Sequence, residues 1–365
     1  MSAAPTEGEP LPRLFARWAE TLLEAPIPRE RVATCDNCVM CPPPDASATD
    51  TYFRPDTKCC TFTPNLPNFL VGAALADDDP EAAAGRASLT ARIAAGASVT
   101  PLGLGQPAVY RSLYGNAQAY GRSRALLCPH FDEAGGGRCG IWRHRDAVCA
   151  TWFCKHVRGE VGHDFWRGAL LRLLVHVEQS LAKWCVLELE VAPDTLEALA
   201  SDPAWSDDPP DMTIAALEGR ANPSARRLWG DWFGREAEFY RRCAELVETL
   251  GWDEVLAISG AEGRALASLT QHAFARLTNP SLPAALRAGP VQLLRTGASA
   301  SILESYSPHD PIEVSNVVMA LLPFFDGSPS ESVQSFVKEQ TGIELGTDLV
   351  QRLVDFGVLK PTSQT

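Results

Sequence analysis

The chain has 365 residues, of which 45% are hydrophobic and 21% charged, a composition typical of a globular protein with two or three domains. Its formal net charge of −13 speaks against a nucleic-acid partner, which would need a basic surface. The sequence has no run of about 18 apolar residues that would cross a membrane, and the polar, acidic start lacks the features of a secretory signal. We therefore expect a cytoplasmic protein with no membrane partner.

The N-terminal part alternates helical patterns with stretches that lack apolar periodicity. Leu14, Trp18 and Leu22 recur at helical spacing and predict an amphipathic helix over residues 12–25. The stretch 35–68 is rich in proline and holds five cysteines. Because it cannot bury a core of its own, we expect a bound metal to order it. Residues 77–96, rich in alanine and acidic side chains, predict a helix after an exposed turn.

In the middle of the chain, the sequence pattern predicts three longer helices. Leu170, Leu174 and Val177 lie at helical spacing within a predicted helix over residues 164–191. Two further helices are predicted over 224–250 and 261–277, and their aromatic side chains are interpreted as core. These aromatic residues are Trp229, Trp232, Phe233, Phe239, Tyr240 and Phe274.

The C-terminal part changes character. Two β-prone runs around Thr296 and Gly297 predict a hairpin within 291–306, followed by helices over 312–325, 329–341 and 347–356. Ser328 is the expected N-cap of the second of these helices, with Pro329 as its first residue. This pattern indicates a small winged-helix-like module. The segment from Phe324 to Lys360 also resembles PqqD-like peptide-binding modules, which implies a protein or peptide partner. Nine acidic against three basic residues over 296–365 argue against DNA.

These elements predict a mainly α fold with minor β (α+β). We expect a cysteine-rich, metal-stapled module over residues 1–162, a helical region over 163–288 and the winged-helix-like or PqqD-like module over 289–365.

The cysteines are the most informative residues for function. Nine of the eleven fall in short groups, and we predict all nine as metal ligands. They are Cys35, Cys38, Cys41, Cys59, Cys60, Cys128, Cys139, Cys149 and Cys154. In a reducing compartment, grouped thiols are typical of metal sites rather than disulfides. Four thiolates around one centre suit zinc or an iron–sulfur cluster. The other two, Cys185 and Cys243, lie in helical patterns and are interpreted as buried apolar residues.

The number of metal centres stays open. In an extended segment, the neighbours Cys59 and Cys60 would point to opposite sides, so they would serve two centres or leave one thiol spare. Nine thiols suffice for two four-ligand centres. A single centre that takes ligands from both halves of the cysteine-rich region is the alternative.

The run CPHFDEAGGGRCGIWRHRDAVCATWFC, which carries the last four grouped cysteines, resembles the second half of the YkgJ-type cysteine-cluster family of zinc- or iron-chelating proteins. In this resemblance Trp142 takes the place of an aromatic residue of the family, and Arg145-Asp146 replaces an Arg-Pro pair. The earlier cysteines resemble the CxxCxxCC motif of the family, with an insertion before Cys59. The resemblance covers residues 33–160 and implies metal binding without a defined reaction.

We expect an iron–sulfur cluster, of the [4Fe–4S] kind, in preference to zinc, because structural zinc usually has two Cys-x2-Cys pairs and the spacings here are wide and uneven. The predicted function is a metal-binding protein whose site is structural, electron-carrying or sensory. One alternative is a metal-dependent redox or protein-modifying enzyme, by analogy with the cysteine-rich flagellin lysine methylases. Another is an adaptor that binds a peptide through the C-terminal module.

Polar residues beside the cysteines have two interpretations each. His130 and His156 are candidate ligands or hydrogen-bond donors to ligands, but structural histidines are the interpretation we favour, since nine cysteines already suffice. Nine basic against five acidic residues over 121–172 form a locally positive stretch. We expect Arg122 and Arg124 in this stretch to offset the charge of the thiolates.

Overall fold

The computed structural model describes residues 11–30, 38–41, 53–96, 98–114, 119–191, 193–200 and 225–362. The fold is mainly α with minor β, as predicted. Within these ranges no helix is both long enough and apolar enough to cross a membrane.

The α-helices of the described ranges are α1 (Arg13–Leu23), α2 (Asn68–Ala76), α3 (Ala83–Ala95), α4 (Ala108–Tyr114), α5 (Ala147–Thr151), α6 (Gly159–His163), α7 (Leu171–Glu188), α8 (Pro193–Ala200), α9 (Ala225–Trp229), α10 (Glu236–Glu248), α11 (Trp252–Thr278), α12 (Asn316–Leu321), α13 (Ser330–Thr341) and α14 (Thr347–Asp355). The strands are β1 (Leu66–Pro67), β2 (Val99–Thr100), β3 (Gly103–Leu104), β4 (Phe131–Asp132), β5 (Arg138–Cys139), β6 (Ala285–Ala288), β7 (Leu293–Thr296), β8 (Ala300–Leu303), β9 (Ile312–Ser315), β10 (Asp326–Pro329) and β11 (Leu359–Pro361).

The chain divides into two compact units, and neither is continuous in sequence. The first unit consists of Met1–Pro28, Ala33–Trp152 and Leu171–Ala267. The second consists of Arg29–Val32, Phe153–Leu170 and Ser268–Thr365. Each of the three predicted segments is continuous in sequence, whereas each compact unit contains residues from more than one of them.

In the first unit, the core is built around α2, which is apolar on all sides and therefore buried. The backbones of α2 and α10 approach closely at Gly72. A Cβ atom at Gly72 would lie 1.8 Å from the carbonyl oxygen of Tyr240, so a residue with a side chain does not fit this crossing. The small residue thus sets how tightly the two helices pack.

Buried polar side chains connect the small sheet of this unit to its helices. The strands run antiparallel in the order β1-β3-β2. The Asn68 amide donates to the carbonyls of Pro101 and Ala182 at 2.9 Å each, and the Tyr240 hydroxyl donates to Thr100 at 2.8 Å. Each of these bonds satisfies a buried polar group that would otherwise cost free energy of desolvation.

Two of the middle helices differ from their predictions. The predicted helix over 164–191 is present as a π-helical segment, Asp164–Leu170, followed by α7. The single helix predicted over 224–250 is wrong, because Gly230 and Gly234 have φ of +49° and +80° and separate α9 from α10. The aromatic residues Trp229, Phe239 and Tyr240 are buried as predicted, but Phe233 in this interruption is 41% exposed.

In the second unit, two antiparallel sheets in the orders β7-β8-β9 and β10-β6-β11 accompany α12, α13 and α14. The predicted hairpin is present as β7 and β8. The helix predicted over 312–325 is wrong in its first turn, since Ile312–Ser315 alternates buried and exposed residues as strand β9. The expected Ser328 cap is also wrong, because Asp326–Pro329 pairs with β6 and α13 begins at Ser330.

The second unit has an apolar core and one buried ion pair. Fully buried side chains of the core include Leu286, Leu303, Val337, Val350, Leu353 and Leu359. The Arg158 guanidinium makes a bidentate contact with Asp355 at 2.9 and 2.7 Å. It also donates to the carbonyls of Arg276 and Leu277, which connects three separate stretches of the chain.

Candidate metal centre

The structure separates the predicted ligands into groups. Seven of them lie in the first unit, and they are Cys38, Cys41, Cys59, Cys60, Cys128, Cys139 and Cys149. Cys154 belongs to the second unit, and Cys35 lies outside the described residues. All the described cysteines are free thiols.

Backbone hydrogen bonds bring the two cysteine-rich stretches of the first unit together. The amide of Cys128 donates to the carbonyl of Cys60 at 2.7 Å, so these residues are direct neighbours in space. The hairpin of β4 and β5 then pairs Phe131 with Cys139, and its turn is made by glycines, of which Gly136 and Gly137 have positive φ. Cys139 therefore folds back towards Cys128.

Cys149 is positioned by the helix that contains it. Asp146 caps the N-terminus of α5 and accepts a hydrogen bond from the Cys149 amide at 3.0 Å. This cap satisfies one of the backbone amides that have no partner within a helix at its N-terminus. The carboxyl of Asp146 also contacts the Cys149 thiol.

The pKa values of the thiols report their mutual proximity. Burial raises the pKa of Cys128 to about 12, and Arg92 opposes that shift. Burial and the charges of Asp146, Cys139 and Cys128 raise the pKa of Cys149 well above its ordinary value. The pKa of Cys60 is raised by its hydrogen bond to Cys59, by burial and by Cys139 and Cys128. Thiols from both stretches therefore lie within electrostatic range of one another.

Cys59 and Cys60 do not point apart as predicted for an extended segment. The chain turns here, with the Cys60 amide bonded to the Thr57 carbonyl at 3.1 Å, and the two thiols share a hydrogen bond. That bond, together with the charges of Arg145 and Lys58, lowers the pKa of Cys59 to about 7. Cys59 also acts on Cys41, whose pKa is raised to about 12 by burial and by Cys38.

Three cations surround the thiols. Lys58 donates to the carbonyl of Gly137 at 2.7 Å, and Arg92 donates to Gly105 at 2.7 Å and partly opposes the rise that burial causes in the pKa of Cys128. Arg145 is 7% exposed, lies 3.5 Å from the centre of the Trp142 ring and donates to the Cys149 carbonyl at 3.5 Å. None of the three was predicted for this role. Arg145 lies in the locally positive stretch over 121–172, but no sequence signal connects Arg92 to the cysteines.

The expectation for Arg124 is wrong. Its guanidinium binds the carboxylates of Asp56 and Glu133 at 3.3 and 2.7 Å, so it neutralises acidic side chains rather than thiolates. Arg124 is close to Cys128 in sequence, but in the folded chain its partners are the two carboxylates.

His130 is engaged through both ring nitrogens. Its Nδ1 lies 2.8 Å from the Ser88 hydroxyl, and its Nε2 lies 3.4 Å from the Arg92 guanidinium. Since a guanidinium can only donate, Nε2 accepts and the Nδ1 proton faces Ser88. Burial, followed by the charge of Arg92, lowers the pKa of His130 to about 3. His130 therefore supports Arg92, as a structural histidine would.

A pair of buried carboxyl groups lies beneath α5. Glu178 on α7 accepts a hydrogen bond from the Ala147 amide at 2.7 Å. Burial and the charge of Asp146 raise the pKa of Glu178 well above its ordinary value, while burial raises the pKa of Asp146 to about 6. The two groups disfavour each other's ionisation, so at least one of them holds a proton near neutral pH.

Cys185 and Cys243 behave as buried apolar residues, as predicted. Cys185 and Cys243 are fully buried, and the Cys185 sulfur lies 3.8 Å from the Cys243 carbonyl. In the second unit, Cys154 is buried, and His156 is buried with it.

In the part of the chain that the structure describes, no three histidine, cysteine or acidic side chains already stand in a geometry that could hold a metal ion. The thiols of the first unit are neighbours, but their side chains would have to turn towards a common point. Comparison of the chain with protein-family models, curated proteins and solved structures gives no match.

Proposed function

We propose that this protein binds a metal through cysteine thiolates of the first unit, as an iron–sulfur cluster of the [4Fe–4S] kind in preference to zinc. One observation carries the proposal: free thiols from two distant stretches of the chain lie within electrostatic range of one another and of three cations. Cys185 and Cys243 show the alternative, because they are buried as small apolar residues. Thiols that served only to fill a core in this way would not need charged side chains around them.

The chemistry of the donors fits a thiolate centre. Burial raises the pKa values of Cys128 and Cys149, and the hydrogen bond to Cys59 together with burial raises the pKa of Cys60, so the metal-free protein keeps these thiols protonated. Metal binding would release those protons, because the positive charge of the metal stabilises the thiolate form of each ligand. Arg92 and Arg145 would offset the remaining negative charge of a four-thiolate centre.

Cys60, Cys128, Cys139 and Cys149 are the proposed ligands for one centre, because each interacts with at least one other member of this group. Cys38, Cys41 and Cys59 provide further thiols for the same centre or for a second one. Cys35 and Cys154, which complete the YkgJ-type pattern, stay predicted ligands. The bound centre would be structural, electron-carrying or sensory.

Metal analysis of the full-length protein tests the proposal. After anaerobic purification, we expect about four iron atoms and four acid-labile sulfides per cluster, with a visible absorption band. Stoichiometric zinc in a colourless protein would identify the centre as a zinc site instead of an iron–sulfur cluster. A protein with neither metal, even after reconstitution with iron and sulfide or with zinc, would refute the proposal.

Two serine substitutions separate ligand thiols from structural ones. Cys149→Ser should lose most of the bound metal, whereas Cys185→Ser should keep it, since Cys185 is a fully buried residue of α7. Equal metal loss from both variants would contradict the assignment. Circular dichroism of each variant shows whether the loss reflects unfolding.

A second candidate function, a peptide-binding adaptor, is favoured by one feature of the second unit. Strand β7 is an edge of its sheet and is exposed along its whole length, with Leu293 at 52% exposure. An edge strand of this kind offers unpaired backbone groups and apolar contacts to an extended peptide. The acidic balance of residues 296–365 favours a peptide with basic side chains.

Fluorescence anisotropy with short labelled peptides that alternate apolar and basic residues tests this candidate. Leu293→Glu should weaken binding at least tenfold. Leu269→Glu is the matched control, because Leu269 has the same 52% exposure but lies on α11. Equal binding by both variants, or no binding by the wild type, would rule out β7 as the site.

A further inference from the structure

The second unit contains a buried imidazole with one unsatisfied nitrogen. His156 is 3% exposed, and its Nδ1 lies 2.9 Å from the hydroxyl of Tyr306. Its Nε2 is inaccessible to water and has no hydrogen-bond partner among the described residues. Buried polar atoms in folded proteins nearly always have a partner, so this nitrogen calls for an explanation.

The hydrogen bonds around Tyr306 determine which nitrogen carries the proton. The Tyr306 hydroxyl makes a short hydrogen bond to the Asp310 carboxylate, which can only accept, so the phenol is the donor. The phenol oxygen must then accept from His156, and the proton of the imidazole is on Nδ1. Asp310 also accepts from the His156 backbone amide at 3.0 Å, which fixes the residue at two points. The lone pair of His156 is therefore on Nε2.

This arrangement matches what a metal-binding histidine needs. Histidine ligands usually donate the other ring N–H to a carboxylate, directly or through a neighbouring group, and this contact fixes the tautomer and raises the basicity of the ligating nitrogen. The Asp310 side chain is buried, and the groups that donate hydrogen bonds to it, Tyr306 and the His156 amide, are neutral. Its negative charge therefore acts through Tyr306 on the imidazole.

A second imidazole lies beside the first. The ring of His163, on α6, is 5.6 Å from the ring of His156, with an angle of 87° between the planes. It is also 5.5 Å from the ring of Tyr306. The His163 side chain is 39% exposed, so the pair extends from the interior of the unit to its surface. The two rings are close enough for both imidazoles to contact one cation.

We propose that His156 and His163 bind a borderline divalent cation such as Zn²⁺ in the second unit, with His156 Nε2 as the fixed ligand. Imidazole nitrogen is a preferred donor for zinc and for neighbouring transition metals. No three side chains of the described residues already stand in a geometry that could hold a metal ion, so the protein supplies two imidazoles. The remaining ligands are waters, which reach the cation from the side of His163, whose side chain is 39% exposed. The site uses no cysteine and goes beyond the thiolate centre proposed for the first unit.

Cadmium-113 NMR of the full-length protein, as isolated and then loaded with ¹¹³Cd²⁺, tests this site. Cadmium bound to nitrogen and oxygen resonates apart from cadmium bound to sulfur, so the two proposals are read separately in one spectrum. We expect a nitrogen-type signal in the wild type and in His272→Ala, which removes an exposed histidine of α11. His156→Ala should lose that signal and keep any sulfur-type signal.

A conservative variant covers the case in which His156→Ala fails to fold. Tyr306→Phe keeps the imidazole and the ring packing but removes the group that fixes the tautomer, and it should weaken Zn²⁺ binding about 10- to 100-fold in competition titrations. The proposal is overturned if the wild type has no nitrogen-type signal, if the signal survives His156→Ala, or if Tyr306→Phe binds Zn²⁺ as tightly as the wild type. Loss of the sulfur-type signal alone would count only against the thiolate centre.

Discussion

The contact between Gly85 on α3 and Gly140, which directly follows Cys139, allows a sharp test of how the first unit positions its thiols. A Cβ atom at Gly85 would lie 2.1 Å from the carbonyl oxygen of Gly140. Real Cβ contacts essentially never fall below 3.0 Å, so the backbone would have to move by about 0.9 Å. The neighbour is backbone rather than a flexible side chain, and the Gly140 amide is itself bonded to the His130 carbonyl at 2.8 Å.

Two effects of Gly85→Ala oppose each other. Alanine favours the helix over glycine by up to about 1 kcal/mol. Overpacking against a backbone that cannot yield costs about 1–3 kcal/mol. Because the shift is large and Gly140 is held by its own hydrogen bond, we expect overpacking to prevail, with a net loss of about 1–2 kcal/mol in the free energy of unfolding.

Urea denaturation followed by circular dichroism measures this change. The matched control is Gly168→Ala in the π-helical segment, where the nearest atom to the added Cβ is 4.0 Å away. That variant should be as stable as the wild type or slightly more so. Metal content should fall in Gly85→Ala alone, since the displaced backbone adjoins Cys139. A Gly85→Ala protein as stable as the wild type would refute the close contact and the positioning role built on it.

Three other changes test other parts of the molecule. Glu178→Gln should stabilise the metal-free protein more at pH 8 than at pH 5, because burial raises the pKa of Glu178, and a group with a raised pKa loses its favourable contribution as pH rises through that value; equal effects at both pH values in urea titrations would contradict this. Arg158→Met should cost about 3 kcal/mol of unfolding free energy, since it leaves the Asp355 carboxylate buried without its partner, and the double variant with Asp355→Leu should recover part of the loss. Removal of the metal with a strong chelator should lower the thermal midpoint of the wild type and leave that of Cys149→Ser unchanged, as calorimetry would detect.

Much of the fold could be predicted because local patterns agree with the tertiary context. The helices α1, α3, α13 and α14 lie close to their predicted ranges, and the hairpin around Thr296 has its predicted turn. The predictions failed where a short local signal for a turn or a strand lay beside a longer helical pattern. The two glycines that separate α9 from α10 were outweighed by flanking helical residues, and the strand Ile312–Ser315 was absorbed into the helix that follows it.

The cysteine ligands of the candidate site stay a prediction, whereas the charged side chains around them were not predicted from the sequence. The spacing along the chain identified the grouped thiols as candidate ligands, because closely spaced cysteines are typical of metal sites. It could not identify Arg92, which approaches Cys128 only because α3 packs against the hairpin that carries Cys139. It also assigned Arg124 to the thiols, although the folded chain supplies Asp56 and Glu133 as nearer partners.

The sequence by itself determined several of the helices, the hairpin, the grouping of the cysteines and the class of ligand they offer, because these follow from residue type and from spacing along the chain. Only the tertiary structure decided which thiols are neighbours, which cations surround them and which histidine nitrogen is left with a free lone pair. The physical reason is that electrostatic effects and hydrogen bonds depend on distances through space. The fold sets those distances between segments that are far apart in sequence, as in the pairing of Cys60 with Cys128 and of His156 with Tyr306.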